Sequence, residues 1–286
     1  MHMKFDIIFT NPPYNKNIDI QILNNVVRYT NELVAIHPSL WLMDKKRNNS
    51  TFNSLRDKIN GKVRNLELFN GNKIFGGITV NSPIVVTHVD NTYAGEVNVD
   101  YFGDKYVCDD IYDVNKFGSE WFTLVKPFAE KIKAYIANNE SVWANKVSGL
   151  NLIPDKFYCQ LAGTIGHVNL KSNTHVMVKD DFYTMTIKDN RQNKGIRKRE
   201  LTNTYCFDNT DEVENFLSYL QTDFARFCLC IYKNNVHIDS GEMDFIPWMD
   251  FSETWDDDKL CQHFDIDDQM FQFMQNFLPD YYSIRK

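Results

Sequence analysis

One stretch near the start constrains the fold more than any other: Phe5-Asp6-Ile7-Ile8-Phe9-Thr10-Asn11-Pro12-Pro13-Tyr14. An apolar run of strand length ends in a polar, proline-locked tetrapeptide. Neither proline has an N–H, and each holds φ near −65°, so the turn is stiff and presents carbonyls without competing donors. The run reads as a buried strand, which puts Asn11 to Tyr14 at its C-terminal end, where open α/β sheets bind ligands. At ordinary residue usage, Asn-Pro-Pro-Tyr arises by chance in a chain of this length about once in a thousand.

The elements downstream continue an α/β alternation. Asp19 to Tyr29 places Ile22, Leu23, Val26 and Val27 at helical spacing. Glu32 to Pro38 reads as a second buried strand. Ser50 to Ile59 reads as a helix capped by Ser50 or Thr51, and Val63 to Phe69 as a third strand. Ile74 to Val80 leads into a fourth strand over Ser82 to Thr87. Val97 to Tyr101 alternates as a half-exposed strand does. The pattern changes near residue 110, which divides the chain into regions 1–110 and 111–286. In the second region, Glu120 to Ala137 is helical in pattern, with Phe122, Val125, Phe128, Ala129, Ile132 and Ile136 on one face. Strand-like pieces at Phe157-Tyr158-Cys159 and Val176-Met177-Val178 follow. Asn209 and Glu212 form a capping-box pattern that opens a helix reaching Ile231.

The tetrapeptide, the helix after it, Pro38-Ser39-Leu40-Trp41 and Phe75-Gly76-Gly77 together resemble the adenine-N6 methyltransferases of DNA. The similarity is to the methylases of combined type II restriction–modification enzymes. It extends to the stretch around Leu220-Gln221-Thr222-Asp223-Phe224, to Ile246-Pro247-Trp248-Met249-Asp250-Phe251 and to the ending from Trp255. The resemblance implies the second half of a methyltransferase-type, Rossmann-like sheet, followed by an α+β target-recognition region. It implies double-stranded DNA as partner and S-adenosylmethionine as methyl donor. The catalytic group would be Asn11, Pro12, Pro13 and Tyr14. The exocyclic amine of adenine is a poor nucleophile because its lone pair is delocalised into the ring. The Asn11 side-chain oxygen and the Pro12 carbonyl would accept its two hydrogens and return the lone pair. Tyr14 would stack on the flipped base, an interaction worth about 1–3 kcal/mol, and Phe75 would flank it from the other side. No general base is needed beforehand, so His37 is expected to be structural.

The strongest positive charge lies at residues 188–201. There Lys188, Arg191, Lys194, Arg197, Lys198 and Arg199 stand against Asp189 and Glu200. As a functional feature it reads as a phosphate-contacting loop, and otherwise as a solvated one. The whole chain has a net charge of −7, so a DNA surface must be a local patch. From Asp239 to Asp268 the chain holds eleven acidic residues and one lysine, a stretch expected to face away from a duplex. The six cysteines show no Cys-x-x-Cys pair or zinc spacing, which reads as reduced, cytoplasmic and free of metal. No apolar run approaches 18 residues, so no membrane span is expected.

The resemblance leaves out the donor half. In that family a Gly-rich turn after a first strand holds S-adenosylmethionine, and it precedes the Asn-Pro-Pro-Tyr strand. Leu161-Ala162-Gly163-Thr164-Ile165-Gly166 is the best substitute, but no helix pattern opens after it. Met1-His2-Met3 reads as a cloning remnant. The donor site is therefore expected from a companion chain or an upstream domain. Without it, Phe5 to Phe9 would form an apolar sheet edge, to be covered by such a partner, by a homodimer mate or by later segments of the chain. The alternative is an inactive, methylase-derived protein that binds DNA or another protein of a restriction or antiviral system.

Overall fold

The structure, a computed structural model of the chain, describes residues 4–43, 49–71, 75, 83–147, 156–162, 183–187, 204–232 and 243–278. These residues form two compact units that divide between Thr123 and Leu124.

The first unit is α/β. Its strands are β1 (Phe5–Thr10), β2 (Thr30–Pro38), β3 (Val63–Phe69), β4 (Ile84–Asp90), β5 (Val97–Tyr101) and β6 (Asp104–Cys108). They form one mixed sheet in the order β1-β2-β4-β3-β5-β6. β1 and β2 run parallel, joined through helix α1 (Ile18–Val26) and a 3-10 turn over Val27–Tyr29. β4 inserts antiparallel between β2 and β3, and β5 lies parallel to β3. Helices α2 (Leu40–Met43) and α3 (Ser50–Ile59) complete the helical layer. Alternation along the strands sets the two faces apart. Leu33 and Ala35 of β2, Val85 and Val89 of β4, and Leu66 and Leu68 of β3 are buried with Ile20, Leu23 and Val27, with Trp41, and with Phe52, Leu55 and Ile59. Ile8 packs on this core from β1.

The opposite face is less covered. Phe5, Ile7 and Phe9 are 47%, 41% and 71% exposed, and Val34, Ile36 and Val86 are half-buried. β1 is also the end strand, so its second edge pairs with no strand among the described residues. The run that reads as a buried strand is thus a sheet edge with one bare apolar face. None of the described segments supplies the expected cover.

Several local expectations need correction. The cap of α3 is Asn49, whose side-chain oxygen accepts from the N–H groups of Thr51 and Phe52, not Ser50 or Thr51. The pattern over 120–137 is a π-type turn at Trp121–Val125 followed by helix α4 (Lys126–Asn138). Pro127 supplies no N–H to the ladder there, which breaks the regular bonding. Phe122 is not on the buried face but 37% exposed.

The second unit holds α4 and a three-stranded antiparallel sheet in the order β8-β7-β9, from β7 (Phe157–Ala162), β8 (Tyr183–Ile187) and β9 (Thr204–Phe207). Helices α5 (Thr210–Tyr219), α6 (Asp223–Tyr232), α7 (Asp257–His263) and α8 (Asp268–Phe277) follow. The Asn209 cap is present, accepting from Glu212 N–H at 2.9 Å, while Glu212 reaches back past the cap's own N–H to that of Asp208 at 2.9 Å. The expected single helix to Ile231 is two. Thr222 Oγ1 accepts from Ala225 N–H at 3.1 Å, and Asp257 accepts from the N–H groups of Asp223 and Phe224. Both restart the helix as α6. Tyr205, Phe207, Phe216, Trp248 and Phe251 make the aromatic centre of this unit. Val176-Met177-Val178 lies outside the described residues.

Candidate functional site

The Asn11–Tyr14 turn leaves the C-terminal end of β1, beside the same end of the parallel strand β2. Pro12 is buried and anchors the turn, while Asn11 and Pro13 are exposed and Tyr14 is half-buried. The Tyr14 hydroxyl donates to Asn11 Oδ1 at 2.7 Å, and the Ile36 carbonyl lies 3.4 Å from the same hydroxyl. A phenol has one proton, and the shorter interaction takes it. The bond holds the Asn11 oxygen in place and uses one of its two lone pairs, leaving the other for an incoming N–H. Burial, and then the charge of Asp19, raise the Tyr14 phenol above its ordinary value, so it remains a donor.

The turn reaches α1 through two left-handed residues, Lys16 (φ 52°) and Asn17 (φ 60°). Asn tolerates that region, but for Lys it costs about 1–2 kcal/mol. Such strain persists only where the surroundings over-determine it, and it gathers at sites.

Phe75 stands next to Tyr14, with ring centroids 6.2 Å apart and planes at 65°. Two residues far apart in sequence are thus brought together at the strand end. The arrangement is edge-to-face, the favoured geometry for a free aromatic pair. A base stacked between two rings holds them about 7 Å apart, twice the stacking repeat of about 3.4 Å. Admitting one requires Phe75 to turn parallel to Tyr14 with a small outward shift.

Behind the turn is a polar cluster that no local sequence pattern announces. His37, at the end of β2, is fully buried. Its Nε2 lies 2.9 Å from Thr87 Oγ1 of β4, and its ring stacks on Trp41 at 5.6 Å and 14°. His37 Nδ1 has no hydrogen-bond partner and lies 4.0 Å from Asp19 Oδ2 in the first turn of α1. Burial lowers the His37 pKa to about 3, so the ring is neutral, and burial raises that of Asp19. Asp19 stands at the expected helix start and His37 at the expected strand end, so their positions are legible in the sequence. Their partnership is not, because it joins α1, β2 and β4.

The basic residues Lys188, Arg191, Lys194, Arg197, Lys198 and Arg199 lie outside the described residues, as do Gly76 and Gly77. The acidic stretch has structural work. Asp250 accepts from Ser252 N–H at 3.0 Å, Asp256 from Lys259 N–H at 2.8 Å and Asp267 from Met270 N–H at 2.8 Å. Asp244 accepts from the Ser141 hydroxyl at 2.6 Å. Carboxylates at helix starts satisfy free N–H groups and the positive end of the helix dipole. With Asp257 at the start of α6, these acids are explained without reference to a duplex.

Among the described residues no group of three or more His, Cys, Asp or Glu side chains could hold a metal ion. All six cysteines are free thiols, and no described helix is long and apolar enough to cross a membrane. No protein-family model matches the chain, and no curated protein is similar enough to count as a relative.

Proposed function

We propose that the first unit is the base-binding half of a DNA adenine-N6 methyltransferase, built on a Rossmann-like sheet. The observation that carries this reading is that Tyr14 both hydrogen-bonds to Asn11 and meets Phe75 at the C-terminal end of parallel strands. Asn11 Oδ1 and the Pro12 carbonyl accept the two amine hydrogens of a flipped adenine, and Tyr14 and Phe75 hold its faces. S-adenosylmethionine, when held by the donor half, would supply the methyl group to the amine whose lone pair Asn11 and Pro12 return, and the methylated amine would then release its proton to solvent. The strand order β1-β2-β4-β3, with the hairpin strand β4 reversed, supports descent from the second half of such a sheet.

The donor site belongs to a companion α/β half that docks on β1. Parallel strands are ordinarily covered on both faces, and β1 has neither a second strand neighbour nor cover over Phe5, Ile7 and Phe9 among the described residues. A two-fold copy paired through β1 would extend the sheet but leave the same face bare. A half that contributes a strand and a helix covers both, at about 1.5–3 kcal/mol for each large side chain buried. The second unit, with the basic stretch 188–201, serves as the target-recognition region.

Two measurements test this. A duplex with 2-aminopurine at the target adenine should brighten when the completed enzyme binds, and Tyr14→Ala should abolish the increase. Brightening that survives Tyr14→Ala would place the base elsewhere. Calorimetry of the 286-residue chain with S-adenosylmethionine should show no binding, and a tight complex would put the donor site within this chain.

A further inference from the structure

The site accounts for Asn11 to Tyr14 and Phe75 but not for the buried cluster behind them. His37 Nδ1 is a polar atom with no hydrogen-bond partner on a residue with no exposed surface. Asp19 Oδ2 lies 4.0 Å away, on a carboxylate with a side chain 5% exposed. A closure of about 1 Å makes this a hydrogen bond, in one of two directions.

If Asp19 is ionised, His37 Nδ1–H donates to it, and the Thr87 hydroxyl donates to a bare Nε2. If Asp19 is protonated, its O–H donates to a bare Nδ1, and Nε2–H donates to Thr87 Oγ1. Each arrangement gives both imidazole nitrogens a partner. They differ by one proton, and the imidazole stays neutral in both.

We propose that Asp19, His37 and Thr87 form a buried proton switch behind the Asn11–Tyr14 turn, in which uptake of one proton by Asp19 reverses the His37 tautomer and removes a negative charge from beside Tyr14. Asp19 acts as a positioning residue, since it acts on Tyr14 through its charge and touches no reacting atom. The proton comes from solvent, no covalent bond other than those to hydrogen changes, and none of the three groups loses a proton overall.

The backbone N–H groups of Asp19 and Ile20 bond to the Asp19 carboxylate and favour its ionised form, and burial outweighs them. Tyr14 faces the pair from the turn, Thr87 from β4 and Trp41 from α2. The cations of α3 are engaged elsewhere: Arg56 Nε donates to the Trp41 carbonyl at 2.7 Å, and Lys58 Nζ to the Asn24 carbonyl at 3.1 Å. No cation is among the groups that shift Asp19, whose carboxyl burial raises above its ordinary value. A carboxyl raised in the folded state stabilises the fold most at low pH, and that contribution is lost as pH rises through its folded pKa. The inference stands whether or not the site binds adenine.

The test is nitrogen NMR of the 15N-histidine-labelled, 286-residue chain between about pH 4 and 8, with His37 assigned by loss of its signals in His37→Gln. The bare nitrogen should move from Nε2 to Nδ1 as pH falls. Its single midpoint should lie above the ordinary carboxylate value of 3.8 and be shared by the Tyr14 ring signals. Asp19→Asn supplies a donor and an acceptor without titrating, and should hold one tautomer throughout. The inference is overturned by one tautomer at every pH in the unaltered chain, by both nitrogens protonated, or by a reversal that persists in Asp19→Asn. Should that variant not fold, the titration of the unaltered chain decides.

Discussion

Acid should loosen the first unit through His37, by an amount that follows from its burial. The ring is enclosed, its pKa lies near 3 against 6.5 for an ordinary histidine, and the loss of hydration is the cause. The unfolded chain then takes up a proton that the folded chain refuses. A depressed folded pKa means stability is fully present above 6.5 and lost as pH falls toward 3. At about 1.36 kcal/mol per unit, the loss is about 2 kcal/mol at pH 5 and about 3 kcal/mol at pH 4. Asp90 titrates in a lower window, since hydrogen bonds from Thr92 and Arg64 hold its carboxyl down at about 2. Asp19 acts in the opposite direction, so the His37 contribution must be isolated by difference. Urea unfolding at several values between about pH 7 and 4, followed through amide signals of β2, should be compared between the unaltered chain and His37→Gln. The variant starts less stable, because Thr87 loses its partner, but its stability should fall less steeply with acid. Parallel curves would refute the reasoning and mean that the folded state accommodates the imidazolium.

The other predictions concern the site and the second unit. If the proposed methyltransferase reading holds, Tyr14→Phe in the chain completed by its donor half keeps the stacking face and loses the hydroxyl that holds Asn11, so methyl incorporation should fall about tenfold, as for one hydrogen bond of about 1.4 kcal/mol. Asn11→Ala removes an acceptor from the amine and should lower turnover about a hundredfold or more with DNA affinity little changed. In the second unit, Asn209→Ala deletes the cap on α5 and should lower urea-unfolding stability by about 1 kcal/mol. Replacing Arg197, Lys198 and Arg199 together with alanine should reduce the log–log salt slope of duplex binding by about 0.9 for each phosphate these side chains neutralise. An unchanged slope would put the DNA surface elsewhere.

Local features are legible in the sequence where a single periodicity or cap suffices. Val63–Phe69 and Val97–Tyr101 have the bounds that their alternation implies. The Asn209 cap is equally local. The Asn49 cap is not legible, because Asn, Ser and Thr stand in succession and each can cap a helix. The break between α5 and α6 is hidden because the apolar spacing continues across it, while one of its causes, Asp257, is 34 residues away in sequence from Asp223. In the acidic stretch composition shows charge, but only the fold shows which N–H groups Asp250, Asp256, Asp257 and Asp267 meet. At the site, the Asn11–Tyr14 turn and its place at a strand end are legible. The His37 cluster is not, since Asp19, His37 and Thr87 meet only when α1, β2 and β4 assemble.

The central claim is that an adenine ring enters between Tyr14 and Phe75. Photocrosslinking tests it most directly, using the completed enzyme and a randomised duplex library carrying 8-azidoadenine. Peptide mapping by mass spectrometry should locate the adducts on Tyr14 and Phe75, and Tyr14→Ala should remove most of them. Adducts confined to other residues, or unchanged in Tyr14→Ala, would contradict the account.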